Sequence, residues 1–439
     1  MIRAHILLLP VLITLCCGIA NAAPTLPAKP HSWLMYQHSP DHNAVFKGRF
    51  NASWSLRLGG KVNGGLALVN GTLYAVSFDK KLYAIDAETG HILWSTGLGR
   101  IVMSTPVISG GMIVVGTGTN NVLRDQGADT VWGSPSGDEV LGLASSTGVP
   151  IWAFHTVGED MPTPAIFGQA VIFANGDDHA YSLDLVTGKQ LWSAPLPGVS
   201  TMASVNLVGR SAYVVASHGL DYAFRSDQTH IFSIDGKTGG IRWSAPYGNA
   251  DCAITVGGSV GFVEGTAYTR YSPNDAWGWA GRNVITAFDL KSGRQLWSST
   301  SRPGYFTSVA SNERAIAGTI SNGVYYQSIP VQDTINAFDA TSGRMLWSAH
   351  TAGAVKMSPV DASGYLVFGD TAGLLYVLND RTGDTVSVLS YKAPFGTSPP
   401  IILGSTIFIA NGASILAIPI TKLIGVGPVM RPVISAGLG

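Results

Sequence analysis

Apolar and polar residues alternate with a period of two along most of this chain, in short runs broken by glycine. The phrase LYAIDAETGHILW (Leu82–Trp94) shows the pattern in full. Alternation runs to an Asp, a short turn ends in Gly, and alternation resumes to a Trp. Such a phrase predicts a β-hairpin, because the glycine supplies a positive φ and the Asp side chain can bond the turn's backbone. It recurs at Val140–Trp152, Ala180–Trp192, Ile231–Trp243, Ile285–Trp297 and Ile335–Trp347, with a worn copy at Leu375–Ser387. Two more strand runs precede each copy, as in STPVISGGMIVVG (Ser104–Gly116). Each repeat is therefore a four-stranded antiparallel unit.

The tryptophans Trp54, Trp94, Trp152, Trp192, Trp243, Trp297 and Trp347, with Ser387 in the worn slot, mark a repeat whose shortest spacing is 40 residues. Trp54 has no hairpin of its own, and the last strands (Pro399–Ile420) lack a closing Trp strand. Placing the Trp54 strand in the last blade joins the two ends of the chain and removes the open sheet edges. The expected fold is all-β: an eight-bladed propeller of four-stranded antiparallel blades over residues 33–420, its ring closed by N- and C-terminal strands. Seven blades with a stray Trp54 strand is the alternative.

Spacings above 40 leave surpluses of 18, 11, 14 and 10 residues, which this reading places at Thr117–Glu139, Ser217–His230, Glu264–Asn283 and Ser321–Thr334. Each falls between the second and third strands of its blade. In a propeller those connections share a face with the blade-to-blade segments, so all four insertions are expected over one mouth of the central channel. Long non-repetitive loops in a compact repeat fold usually carry function or a subunit contact. The third insertion, EGTAYTRYSPNDAWGWAGRN, holds Arg270, Tyr271, Asp275, Trp277 and Trp279. Aromatic residues with a few charges fit a pocket or a subunit contact better than a solvated tip. The blade-to-blade segments add Lys61, Arg100, Asp251 and Lys356. Three cations at one mouth suit a small anion, with solvated rim charge as the plain alternative.

Composition narrows the classes. The 439 residues carry 27 basic and 27 acidic side chains, a balance that points away from nucleic-acid and acidic-lipid partners. Charged residues make up only 12%, so few native ion pairs vanish when carboxylates protonate. That suits an acidic exterior, although a Gly- and Ser-rich secreted propeller has the same composition. Arg3, the apolar run Ile6–Ile13 and Ala20–Ala22 read as a signal peptide over residues 1–22, implying a periplasmic or secreted protein. Leu15 before Cys16 argues against a lipoprotein signal, and residues 421–439 read as a C-terminal tail. Cleavage near Ala22 leaves Cys252 as the single cysteine: a small buried side chain, an intersubunit bridge or a reactive thiol. No zinc spacing, phosphate-binding loop or Ser-His-Asp order appears, and neither a metal nor a cofactor is expected.

The Asp-x-x-Thr/Ser-Gly…Trp phrase at these spacings resembles the quinoprotein (PQQ-like) propeller repeat over roughly Trp33–Ile420. Within that family, GTGTNN (Gly116–Asn121), WGSPSG (Trp132–Gly137) and HTVGEDMPTPAIF (His155–Phe167) resemble the tetrathionate hydrolases of acidophilic sulfur oxidisers. That resemblance implies a dimeric, secreted or periplasmic eight-bladed propeller without PQQ, joined through its insertion loops. It also implies an aspartic acid as the catalytic proton donor. Asp275, flanked by Tyr271, Trp277 and Trp279, fits that role, with Asp251 as the second candidate. Lys61, Arg100, Arg270 and Lys356 would then bind a dianionic sulfur substrate, with Tyr271, Trp277 and Trp279 lining it. Two other readings stay open: a non-catalytic envelope scaffold like the outer-membrane assembly lipoprotein, and a PQQ-dependent dehydrogenase. The dehydrogenase is disfavoured because the only adjacent cysteines, Cys16 and Cys17, fall in the signal peptide.

Overall fold

The computed structural model describes residues 51–118, 138–156, 162–200, 202–217, 229–247, 252–271, 279–300, 318–329, 333–362 and 364–423, with backbone alone at 217, 266–271 and 279–283. Residues 1–22, expected to form a signal peptide, and most of residues 421–439 lie outside these residues.

The chain enters through β1 (Trp54–Arg57) and then builds seven consecutive blades. Blade I is β2 (Ala67–Val69), β3 (Thr72–Ser77), β4 (Lys81–Asp86) and β5 (Ile92–Gly97). Blade II is β6 (Val107–Ser109), β7 (Met112–Gly116), β8 (Glu139–Ala144) and β9 (Pro150–His155). Blade III is β10 (Ala165–Phe167), β11 (Ala170–Ala174), β12 (His179–Asp184) and β13 (Gln190–Pro195). Blade IV is β14 (Asn206–Val208), β15 (Ser211–Ser217), β16 (Thr229–Asp235) and β17 (Ile241–Ala245). Blade V is β18 (Thr255–Gly257), β19 (Val260–Tyr271), β20 (Trp279–Asp289) and β21 (Gln295–Thr300). Blade VI is β22 (Thr319–Ser321), β23 (Val324–Ile329), β24 (Thr334–Asp339) and β25 (Met345–His350). Blade VII is β26 (Val360–Ala362), β27 (Tyr365–Gly369), β28 (Leu374–Asn379) and β29 (Thr385–Ser390). Blade VIII combines β30 (Ile401–Leu403), β31 (Thr406–Asn411) and β32 (Ser414–Pro419) with β1, which pairs antiparallel along β32 from Trp54↔Ala417 to Arg57↔Ser414. The two ends of the chain thus share a sheet and close an eight-bladed ring. First strands of neighbouring blades touch, so they line the axis. Fourth strands alternate exposed and half-buried residues at the rim.

The repeated phrase explains how blades dock. Asp86 Oδ1 accepts from the Thr89 N–H and hydroxyl at 2.8 and 2.7 Å, fixing the turn between third and fourth strands. Asp184–Thr187, Asp289–Ser292 and Asp339–Ser342 repeat the same pair of bonds. The turn glycine then lies flat against the Trp of the preceding blade. A Cβ on Gly188 (φ +67°) would sit 2.5 Å from the Trp152 ring, so both the backbone and the space demand glycine. The indole N–H completes the contact by donating to the backbone of the glycine's own blade, as Trp152 does to Leu185 at 3.1 Å and Trp297 to Ala340 at 3.0 Å. Ser387 occupies the Trp position of blade VII, opposite Val377. The next blade takes its third and fourth strands from opposite chain ends and has no turn glycine to receive a tryptophan. The worn copy falls where its docking partner is missing.

One expectation needs correction. Ser321–Thr334 is not an insertion. Asn322 and Gly323 (φ +48° and +79°) make a tight hairpin between β22 and β23, and β24 follows after a short connection. The extra length of blade VI lies instead between the end of β21 at Thr300 and the start of β22 at Thr319. Both ends of that connection leave the same face as the second-to-third connections. The other three surpluses fall between second and third strands as expected.

Candidate functional site

The ring topology brings Lys61, Arg100 and Lys356 to the insertion face, each on a blade-to-blade connection. Lys61 is exposed, held by its backbone carbonyl, which accepts from the Phe78 N–H at 2.8 Å. Lys356 is half-buried. Arg100 is engaged: its Nη1 lies 3.3 Å from Oδ1 of Asp138, a carboxylate only 2% exposed. The Asp138 carbonyl is fixed in turn by the Thr156 N–H at 3.0 Å and hydroxyl at 3.2 Å.

Arg100 and Lys80 line an open cleft of about 360 Å³ between blades I and II, together with Gly99 and Gly118. Glu139 also lines it and lies 3.4 Å from His155 Nδ1. Asp138 and Glu139 open the third strand of blade II, directly after the longest insertion. Sequence reading missed Lys80, Asp138, Glu139 and His155: Asp138 meets Arg100 across 38 positions, Glu139 meets His155 from the opposite strand, and Lys80 reaches the cleft from a turn, none of them within a local motif.

The third insertion is a ladder rather than a loop. β19 and β20 pair from Val260↔Asp289 out to Tyr271↔Trp279, with an irregularity at Tyr268/Arg270. Two predicted lining residues, Tyr271 and Trp279, are thus direct cross-strand partners, and Arg270 faces Ala280 in register. Asp275 and Trp277 fall within 272–278 and, with Asp251, lie outside the described residues. Cys252 is fully buried, its thiol directed at the Ala253 carbonyl at 3.3 Å.

At the root of that ladder stands a carboxylate that the sequence reading did not single out. Glu264 is 1% exposed, and its Oε1 accepts from the Tyr325 hydroxyl at 3.1 Å across the seam between blades V and VI. Burial pushes its pKa up to about 8, partly offset by the Gln327 amide and the Tyr325 hydroxyl. Carboxylates in the uninserted second-to-third turns behave differently. Asp177 accepts from Tyr181 at 2.7 Å, Asp370 from Tyr376 at 3.1 Å, and Asp79 from Tyr83 in the same way. Burial and the adjacent Asp79 push the Tyr83 hydroxyl up to about 12. These three pairs rivet turns.

A quinone cofactor in this kind of propeller calls for a cation held by clustered carboxylates. Among the described residues no three His, Cys, Asp or Glu side chains converge in that way, and Cys252 is the single cysteine. No helix among the described residues is long and apolar enough to cross a membrane.

Three overlapping stretches, residues 51–299, 209–325 and 281–418, match the sequence model of the family described as outer membrane protein assembly factor BamB. The chain is 28% identical over 378 residues to a tetrathionate hydrolase of Acidithiobacillus ferrooxidans, covering 82% of this chain and 73% of that one. It is 26% identical over 391 residues to a tetrathionate hydrolase of Acidianus ambivalens, covering 82% and 71%. Its fold is similar to the crystal structure of BamB from Moraxella catarrhalis, with a TM-score of 0.61, 18% identity, and coverage of 84% and 98%.

Proposed function

The chain belongs to the β-propeller family described as outer membrane protein assembly factor BamB, and from that premise we propose that it is a hydrolase acting on tetrathionate or a related polythionate at acidic pH. One observation carries this reading: similarity to tetrathionate hydrolases extends over 82% of the chain, far beyond a shared repeat phrase. The surplus length gathered on one face supports it, since a bare scaffold has no need of it.

The chemistry asks little of the protein. Water adds its oxygen to a terminal sulfonate sulfur, which leaves as hydrogen sulfate, while the released sulfane chain takes up a proton. Cations hold the sulfonate ends and an acid supplies or steers the proton. We assign the sulfonate contacts to Lys61, Lys356 and Arg270, with Arg100 tied to Asp138 at the edge of that field. Tyr271, Trp277 and Trp279 wall the pocket, and Asp275 is the acid, with Asp251 as the second candidate. A carboxyl among aromatic side chains stays protonated more readily than one in water. A second copy of the chain is expected to dock through the insertions. The test is purified protein incubated with tetrathionate at about pH 3, following sulfate and thiosulfate.

A second reading, a non-catalytic envelope scaffold, is favoured by the family description and the BamB fold match. Absence of turnover together with capture of an envelope assembly partner would support it instead.

A further inference from the structure

Eight blades built on one plan give each position seven internal controls. Counting from the first residue of the second strand, Glu264 takes the fifth place on β19. The same place holds Val76, Gly116, Ala174, Val215, Gly369 and Ala410, and the small Ser328 in blade VI. Gln327 is equally out of place one position earlier, where other blades carry Ala75, Val115, Phe173, Val214, Phe368 and Ile409. The two exceptions meet at one seam. Odd places face the following blade and even places the preceding one, as Phe262 and Tyr325 show, so Glu264 and Gln327 confront each other between blades V and VI.

The lower half of this seam is apolar, with Phe262 stacked on Tyr325 at 5.0 Å between ring centroids. The upper half is polar and buried. Glu264 Oε1 accepts from the Tyr325 hydroxyl and the Gln327 amide lies close enough to ease its ionisation, but neither Oε2 nor either Gln327 amide atom makes a hydrogen bond of normal geometry among the described residues. Titratable groups facing the carboxyl there are the Tyr325 hydroxyl and, beside Tyr325, the Cys252 thiol. Both are acids, and no described cation balances a negative charge. An ionised carboxylate in such a place is costly, whereas a neutral carboxylic acid is tolerated. The strand that carries Glu264 continues into the long β19–β20 ladder, so what happens at this seam bears directly on the ladder's root.

We propose that Glu264 is a proton-operated joint between blades V and VI: as a neutral acid it closes the seam beneath the long hairpin, and on losing its proton it opens that seam. The joint holds whatever the substrate, and it makes the hairpin face firmest in acid.

The sign follows from linkage. Glu264 is harder to ionise folded than unfolded, so its stabilisation is complete below the ordinary Glu range and is lost as pH rises toward the folded value of about 8. Hydrogen exchange on the full chain between pH 4 and 9, corrected for intrinsic rates, reads this directly. In the wild type, the opening equilibrium of β19 and β23 amides should rise about tenfold per pH unit from roughly 5 to 8 and then level off. The seam between blades I and II, with Val76 in the same place, should stay flat. Glu264→Gln keeps the shape without the proton and should hold the V–VI seam closed and flat across the range. Glu264→Leu should also be flat, whatever its absolute protection. An unchanged slope in Glu264→Gln overturns the proposal, and so does a wild-type slope shared equally by all seams or missing altogether. If neither variant accumulates, the wild-type comparison of the two seams decides alone.

Discussion

The indole N–H of Trp54 donates to the backbone carbonyl of Ala87 at 2.9 Å, joining the first described strand, now the rim of blade VIII, to the turn of blade I. Gly90 of that turn (φ +76°) lies against the same ring, where a Cβ would approach to 2.7 Å. Ring closure therefore uses the same joint as the internal seams. Trp54→Ala should destabilise the protein by about 3 kcal/mol, as expected for emptying a large aromatic site. Trp152→Ala at an internal seam should cost a similar amount. Denaturant unfolding of both checks this; a negligible effect at Trp54 would mean that the closing strand does not hold the ring.

Glycine in the turn is required twice over, and two substitutions separate the reasons. Gly71→Ala meets a positive φ of +81° with no atom within 4 Å, and should cost about 1 kcal/mol. Gly188→Ala meets a similar φ and the Trp152 ring, and should cost about 1–3 kcal/mol more. Equal losses in thermal unfolding would show that Trp152 moves aside freely.

The turn aspartates set part of the acid limit of the fold. Bonds from Ser342 hold the Asp339 carboxyl below its usual range, and Thr187 does the same for Asp184. A depressed folded pKa gives stability that is present above the unfolded value and lost as pH falls through the folded one. The midpoint difference between wild type and Asp339→Asn should thus be largest near neutrality and shrink toward about pH 2. The worn repeat already shows the neutral solution: Asn379 Oδ1 accepts from the Arg381 and Thr382 N–H groups at 3.0 and 3.1 Å. A difference that is constant with pH would contradict this account.

Arg100 and Lys61 share a face but not a role. Removing Arg100 strips a partner from the buried Asp138 and should cost about 1–2 kcal/mol, reduced from a fully buried pair because Arg100 is 31% exposed. Lys61 is exposed, so Lys61→Ala should leave the melting temperature nearly unchanged while raising KM for tetrathionate several-fold. The opposite pattern, stability lost at Lys61 and KM alone altered at Arg100, would reverse the assignment.

The fold was legible because each part of the repeat has its own local chemistry. Asp86 bonds its turn, Gly90 permits it, and Trp54 and Trp94 dock on the turn glycines of neighbouring blades. Even the two irregularities, Trp54 without a hairpin and Ser387 without a tryptophan, are explained by one ring closure. Spacing between tryptophans measured how much was inserted but not where, so the surplus of blade VI was misplaced; the Asn322–Gly323 turn was the local signal that marked β22 and β23. The insertion face was legible as a face. Its wiring was not, since Arg100 meets Asp138 across 38 positions and Tyr325 meets Glu264 across 61. Glu264 stands out in the sequence only once the second strands are aligned in register. Asp275, Asp251 and Trp277 lie outside the described residues, and their roles rest on the proposal.

Sulfate release from tetrathionate at about pH 3 by the wild type, Asp275→Asn and Asp251→Asn in parallel tests the central claim most directly. The account predicts turnover by the wild type, loss of at least a hundredfold in Asp275→Asn as expected for removing a general acid, and a smaller effect in Asp251→Asn. Full activity in Asp275→Asn with loss in Asp251→Asn would move the acid to the second candidate. No sulfate from the folded wild type would contradict the account.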